Sequence, residues 1–117
     1  MGSTSFEAQV TNEDSRSTIK LFGEINATAD KELSNAYSLA AIGNPSTIML
    51  DFGSVTYINS TGIALIVGLL AQARTSHTSL VVYGLSEHYE EIFRITRLSD
   101  FMNIFPDKGS AIQEVSN

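Results

Sequence analysis

Asp51-Phe52-Gly53-Ser54-Val55-Thr56-Tyr57-Ile58-Asn59-Ser60-Thr61-Gly62-Ile63 is the stretch on which the reading of this chain turns. It leaves the consecutive apolar residues Ile48, Met49 and Leu50, a pattern expected of a strand covered on both faces. It then crosses an uncharged loop and starts an apolar helix whose first residues, Ser60 and Thr61, both carry hydroxyls. Ser60 is placed to act as N-cap, its side-chain oxygen accepting from the free N–H groups of the first turn. Gly62 in that turn costs ~1 kcal/mol relative to Ala in a helix interior. Its missing side chain suits the close approach of another chain to the backbone.

The helix is expected from residue 60 or 61 to about 75. At about 100° per residue, Ile63, Ile66, Leu70 and Ala73 share one side, with Val67 and Leu69 flanking. The other side carries Thr61, Ala64, Gly68, Gln72 and Thr75, with Leu65 at its margin. That side is small and uncharged, where an ordinary solvent face holds Lys and Glu. Two explanations stay open: a docking surface for another protein, or a face covered by another part of the same domain.

Working outward, strands are expected over 5–11 and 17–23. A polar turn at 12–15 joins them, which predicts an antiparallel hairpin. A helix follows over 29–41, with Thr28 as N-cap, Asp30 and Glu32 in its first turn, and Gly43-Asn44-Pro45 as its stop. Further strands are expected at 47–52, 79–83 and 101–105, and further helices at 87–95 and 107–115. Strands and helices alternate after the hairpin, so the sheet should be mixed, with parallel neighbours joined by helical crossovers.

Composition narrows the function. The 117 residues fit a single domain over 1–117, and a chain of this size folds without a disulfide or metal staple. With no Cys, disulfides, thiolate zinc sites and Cys nucleophiles are excluded. A net charge of −6, with 7 Lys and Arg in no run, argues against direct nucleic-acid binding. Residues 1–10 have neither the basic start nor the apolar core of a signal peptide. The longest apolar-rich stretch, 63–73, is interrupted by Gly68 and falls short of the ~20 residues a bilayer needs. A cytoplasmic domain without membrane insertion is expected.

The chain resembles the STAS domain family, and within it the small bacterial anti-sigma-factor antagonists. The resemblance rests on Gly23-Glu24-Ile25-Asn26, on 51–58, and above all on Asn59-Ser60-Thr61-Gly62-Ile63. Leu85-Ser86 and Ile92-Phe93-Arg94-Ile95-Thr96-Arg97-Leu98 extend it over nearly the whole chain. It implies an α/β fold: a mixed sheet of about five strands with about four helices packed mainly on one face. It also implies a partner switch and no catalytic role. Such a protein binds a serine kinase of the histidine-kinase-like ATPase fold that doubles as an anti-sigma factor, and so frees the sigma factor. The kinase phosphorylates the antagonist, and a PP2C-type phosphatase resets it.

By the same resemblance the modified residue is Ser60, with Thr61 the lesser candidate. Glu24, Asn26, Tyr57, Asn59, Thr61, Gly62 and Leu65 frame the partner-binding surface. Two residues depart from the family, which usually has Asp where this chain has Asn26 and Asn59. Both changes keep shape and remove a charge. The physics of Ser60 agrees with the switch, since a phosphate there lies at a helix N-terminus that favours an anion. The alternative is a STAS subunit of a membrane transport assembly, in which Ser60 and Thr61 make contacts and are never modified.

The remaining candidates are weaker. His77 lies in a polar turn and His88 beside Glu87, Glu90 and Glu91, at a spacing that fits no metal motif. No Gly-x-Ser-x-Gly elbow and no Walker-type loop is present, so no hydrolase or nucleotidase chemistry, cofactor or metal is expected.

Overall fold

The computed structural model describes residues 6–116. Ser5, the first residue of the expected opening strand, lies outside them. β1 (Glu7–Glu13) and β2 (Arg16–Ile25) form the antiparallel hairpin around a two-residue turn at Asp14 and Ser15. The sheet then grows in chain order, with β3 (Thr47–Ile58), β4 (Ser79–Tyr83) and β5 (Asn103–Phe105) each parallel to the strand before it. The crossovers are α1 (Asp30–Ala40), α2 (Ser60–Thr75) and α3 (Glu87–Ile95), and α4 (Lys108–Ser116) follows β5.

Strict alternation in β2 sets the two faces. Ser17, Ile19, Leu21, Gly23 and Ile25 are buried, while Arg16, Thr18, Lys20, Phe22 and Glu24 are half-buried or exposed. The inward set meets Ile48, Leu50, Phe52, Leu80 and Val82 together with Leu33 and Tyr37 of α1, Ile66 and Leu70 of α2 and Phe93 of α3, in one core. On the other face Ala111 of α4 packs on Met49, Val81 and Tyr83. This fourth helix is why Ile48, Met49 and Leu50 are apolar without alternation: both faces of β3 are covered there. The expected fold holds, with three helices on one face and one on the other.

Three local expectations are corrected. β3 runs six residues past Phe52, because its tail stays paired to a longer β2 through two register shifts. The uncharged loop expected there is therefore mostly strand. Residues 98–100, next to the expected last strand, form a 3-10 turn, and β5 begins only at Asn103. The start of α1 is capped differently from the Thr28 arrangement expected, as set out below.

Candidate functional site

β2 and β3 end side by side, Glu24 opposite Tyr57 and Ile25 opposite Ile58. Each strand is followed at once by an asparagine that caps a helical turn. Asn26 Oδ1 accepts from the Thr28 N–H at 3.0 Å and from the Thr28 hydroxyl at 2.6 Å, which starts a 3-10 turn over Ala27–Ala29 leading into α1. Thr28 is therefore a donor to the cap and not the cap, and Ala29, at the cap position of α1 itself, makes no side-chain bond. Asn59 closes the ladder through its N–H to the Ile25 carbonyl at 3.2 Å, and its Oδ1 accepts from the Gly62 N–H at 2.8 Å.

The N-cap of α2 is thus Asn59, one residue earlier than expected, and Ser60 is the first helical residue. The extended backbone of Asn59 (φ −94°, ψ −177°) lets its short amide reach the third N–H of the helix. Ser60 is exposed. Among the described residues its hydroxyl makes no hydrogen bond with another side chain or backbone group. No acidic side chain sits in the first turn of α2, so the positive end of the helix dipole there is not offset by a carboxylate.

Gly62 is buried, and the group that approaches it comes from this same chain, correcting the expectation that another chain would. A Cβ at this position would run into the carbonyl oxygen of Ile25 and lie 2.9 Å from Cγ2 of Ile58. The first turn of α2 is seated on the end of β2, and glycine is what lets it sit so low.

The other candidates divide by exposure. Tyr57 is 51% exposed and Thr61 is exposed, whereas Glu24, Asn26 and Asn59 are half-buried. Glu24 and Tyr57, paired in register, belong to the face turned away from α1, α2 and α3. Leu65 is half-buried and packs against the main core, so it is at most a partial contact. Thr61, Ala64, Gly68, Gln72 and Thr75 are all exposed, so no described segment covers the small face of α2. Val67 joins that open side at 45% exposure instead of flanking the core.

One contributor was not legible in the sequence. Tyr89 of α3 reaches across to the end of β3, where its phenol oxygen takes the Ile58 N–H. A tyrosine on an amphipathic helix announces no such reach.

A model described as "Mlab, STAS domain" matches residues 8–105. The chain belongs to the STAS domain family. An anti-sigma-B factor antagonist of Listeria monocytogenes is 32% identical over 82 residues, covering 70% of this chain and 72% of that protein. A solved anti-sigma factor antagonist from Mycobacterium paratuberculosis matches 97% of this chain and 96% of its own with a TM-score of 0.83 at 18% identity. The Bacillus cell fate determinant SpoIIAA, solved in its phosphorylated form, matches 95% of this STAS domain and 99% of its own chain, with a TM-score of 0.69 at 21% identity. At those identities the two structures establish a shared fold.

Proposed function

We propose that this STAS domain is an anti-sigma-factor antagonist whose docking on its partner is ended by phosphorylation of Ser60. The partner is a serine kinase of the histidine-kinase-like ATPase fold that also sequesters a sigma factor. The observation that carries this reading is the division of labour at the start of α2: Asn59 caps the helix, and Ser60 stands exposed beside it. The names of the curated relatives and the phosphorylated state of a neighbour of the same fold support it.

In the modification, Ser60 Oγ attacks the γ-phosphorus of ATP held by the kinase. The Oγ–P bond forms, the bond to ADP breaks, and the hydroxyl proton passes to a base of the kinase. A PP2C-type phosphatase hydrolyses the ester and restores the hydroxyl. The fold tolerates the product, since the first N–H groups of α2 and the dipole face it. A closely packed interface does not, because a charge of about −2 must then be desolvated. A loss of ~3 kcal/mol is about a hundredfold in affinity, enough to reverse a competition between partners.

Tyr57, Ser60 and Thr61 form the exposed part of the docking rim, with Glu24, Asn26 and Asn59 behind them. Gly62 acts by seating the helix and Leu65 by its half-buried edge. The domain works by binding, with no chemistry of its own.

The test is incubation with anti-sigma serine kinases from the same genome and ATP, followed by intact-mass measurement and peptide mapping. One added phosphate at Ser60, lost in Ser60→Ala, is expected, and Ser60→Asp should weaken kinase binding about a hundredfold. An unmodified chain that co-purifies with transport subunits instead overturns this reading in favour of the transport assembly.

A further inference from the structure

The face of the sheet opposite α1, α2 and α3 is covered only in part. Next to α4 a half-open trough of about 400 Å³ reaches across the strands to Gln9 and Thr11 of β1. That volume falls in the range of small-molecule sites, roughly 300–1,000 Å³. Arg16 and Lys20 of β2 and Lys108 of α4 line it, three of the 7 Lys and Arg in a chain of net charge −6. Set against Glu13 and Asp51, the only acidic side chains of the lining among the described residues, these leave the trough with a small positive excess in an otherwise acidic chain.

The polar groups of the trough are only partly paired with one another. Each of its two carboxylates has one oxygen engaged by the protein: Glu13 Oε1 accepts from Arg16 Nη2 at 2.8 Å, and Asp51 Oδ1 accepts from the Gly53 N–H at 2.8 Å. Tyr83 stays a phenol at neutral pH, its pKa pushed up to about 12 by burial and by the neighbouring Asp51. Lys20 stands 5.4 Å from the centre of the Phe22 ring, and among the described residues neither it nor Lys108 is paired with a carboxylate. The Nε of Arg16 is buried without an acceptor. Lys20 and Lys108 thus bring two ammonium groups without a carboxylate partner to the trough, the complement of an acceptor-rich anion.

We infer that this trough binds a small molecule bearing a phosphate or carboxylate group, with Lys20 and Lys108 as its charged contacts. The inference does not depend on Ser60, which lies at the start of α2 on the helical side of the sheet. It gives the domain a second input, set by the supply of a small anion.

The test is an amide NMR titration of the full chain with inorganic pyrophosphate and, separately, with citrate. Saturable shifts centred on Lys20, Asp51, Tyr83 and Lys108 are expected. Pyrophosphate alone binding assigns a phosphate ligand, citrate alone a carboxylate, and both together the shared oxyanion chemistry. The Lys20→Gln/Lys108→Gln double variant, altered only at exposed positions, should melt like the parent and bind about tenfold more weakly. Lys31→Gln, an exposed charge removed from α1, should leave binding unchanged. The inference is overturned if neither anion gives saturable shifts at the trough. It is equally overturned if Lys31→Gln weakens binding as much as the double variant does, because net charge alone would then be responsible.

Discussion

The phenol oxygen of Tyr89 accepts the backbone N–H of Ile58 at 2.9 Å, tying α3 to the last residue of β3. β4 has ended by this level, since its last pairing with β3 is Asp51 with Tyr83. That N–H therefore has no strand to bond, and a side chain stands in for one. Tyr89→Phe removes the acceptor and little else, so the part-buried donor is left unpaired. A loss of about 1–3 kcal/mol in urea unfolding at unchanged m is expected. Faster hydrogen exchange at Ile58 should accompany it.

Gly62→Ala separates two opposing effects. Helix propensity alone predicts a gain of ~1 kcal/mol. The collision of the new methyl with the Ile25 carbonyl predicts a loss, because neither the strand end nor the helix start can retreat without opening the Asn59 cap. Overpacking of about 1–3 kcal/mol should win, and a lower melting temperature is expected. An unchanged or higher one refutes the seating described for α2.

Asn59 offers a paired comparison. Asn59→Ala deletes the acceptor for the Gly62 N–H and should cost about 1 kcal/mol, whereas Asn59→Asp keeps the acceptor and should be close to neutral or stabilising. Thermal melts of the two variants, run side by side, measure the cap itself. The comparison also shows what the asparagine retains: the cap without the charge.

Alkaline pH should weaken the fold in a defined window. Tyr83 titrates at about 12 in the folded chain against an ordinary value near 10, through burial first and Asp51 second. Between those values the unfolded chain has released the proton and the folded one has not. The unfolded state then binds fewer protons, and stability falls as pH rises. Tyr37 is shifted upward too, by burial, and adds to the slope. Urea midpoints should hold steady up to about pH 10 and drop toward pH 12, and Tyr83→Phe should flatten the drop without abolishing it.

What the sequence disclosed follows from the range of the forces involved. The periodicity of β2 and α2 and the alternation of strands with helices are local, so the architecture and the small outer face of α2 could be read directly. The position of Ser60 near the helix start could be read as well. Its relation to Asn59 could not, because Ser and Asn cap equally well and only the backbone of residue 59 decides between them. The purpose of Gly62 was hidden for another reason: the atom that excludes a side chain there belongs to Ile25, 37 positions earlier. The tail of β3 read as loop because register shifts erase the period of two on which a strand is recognised.

The order β1-β2-β3-β4-β5 has a further consequence for how the molecule comes into being. Every strand after β1 pairs with the strand made before it, so during synthesis only the growing edge waits for a partner still unmade. The sheet can be laid down in the direction of translation, hairpin first, each crossover sealing the previous step. The seat for α2, built by the end of β2, is in place before the serine that will rest beside it has left the ribosome.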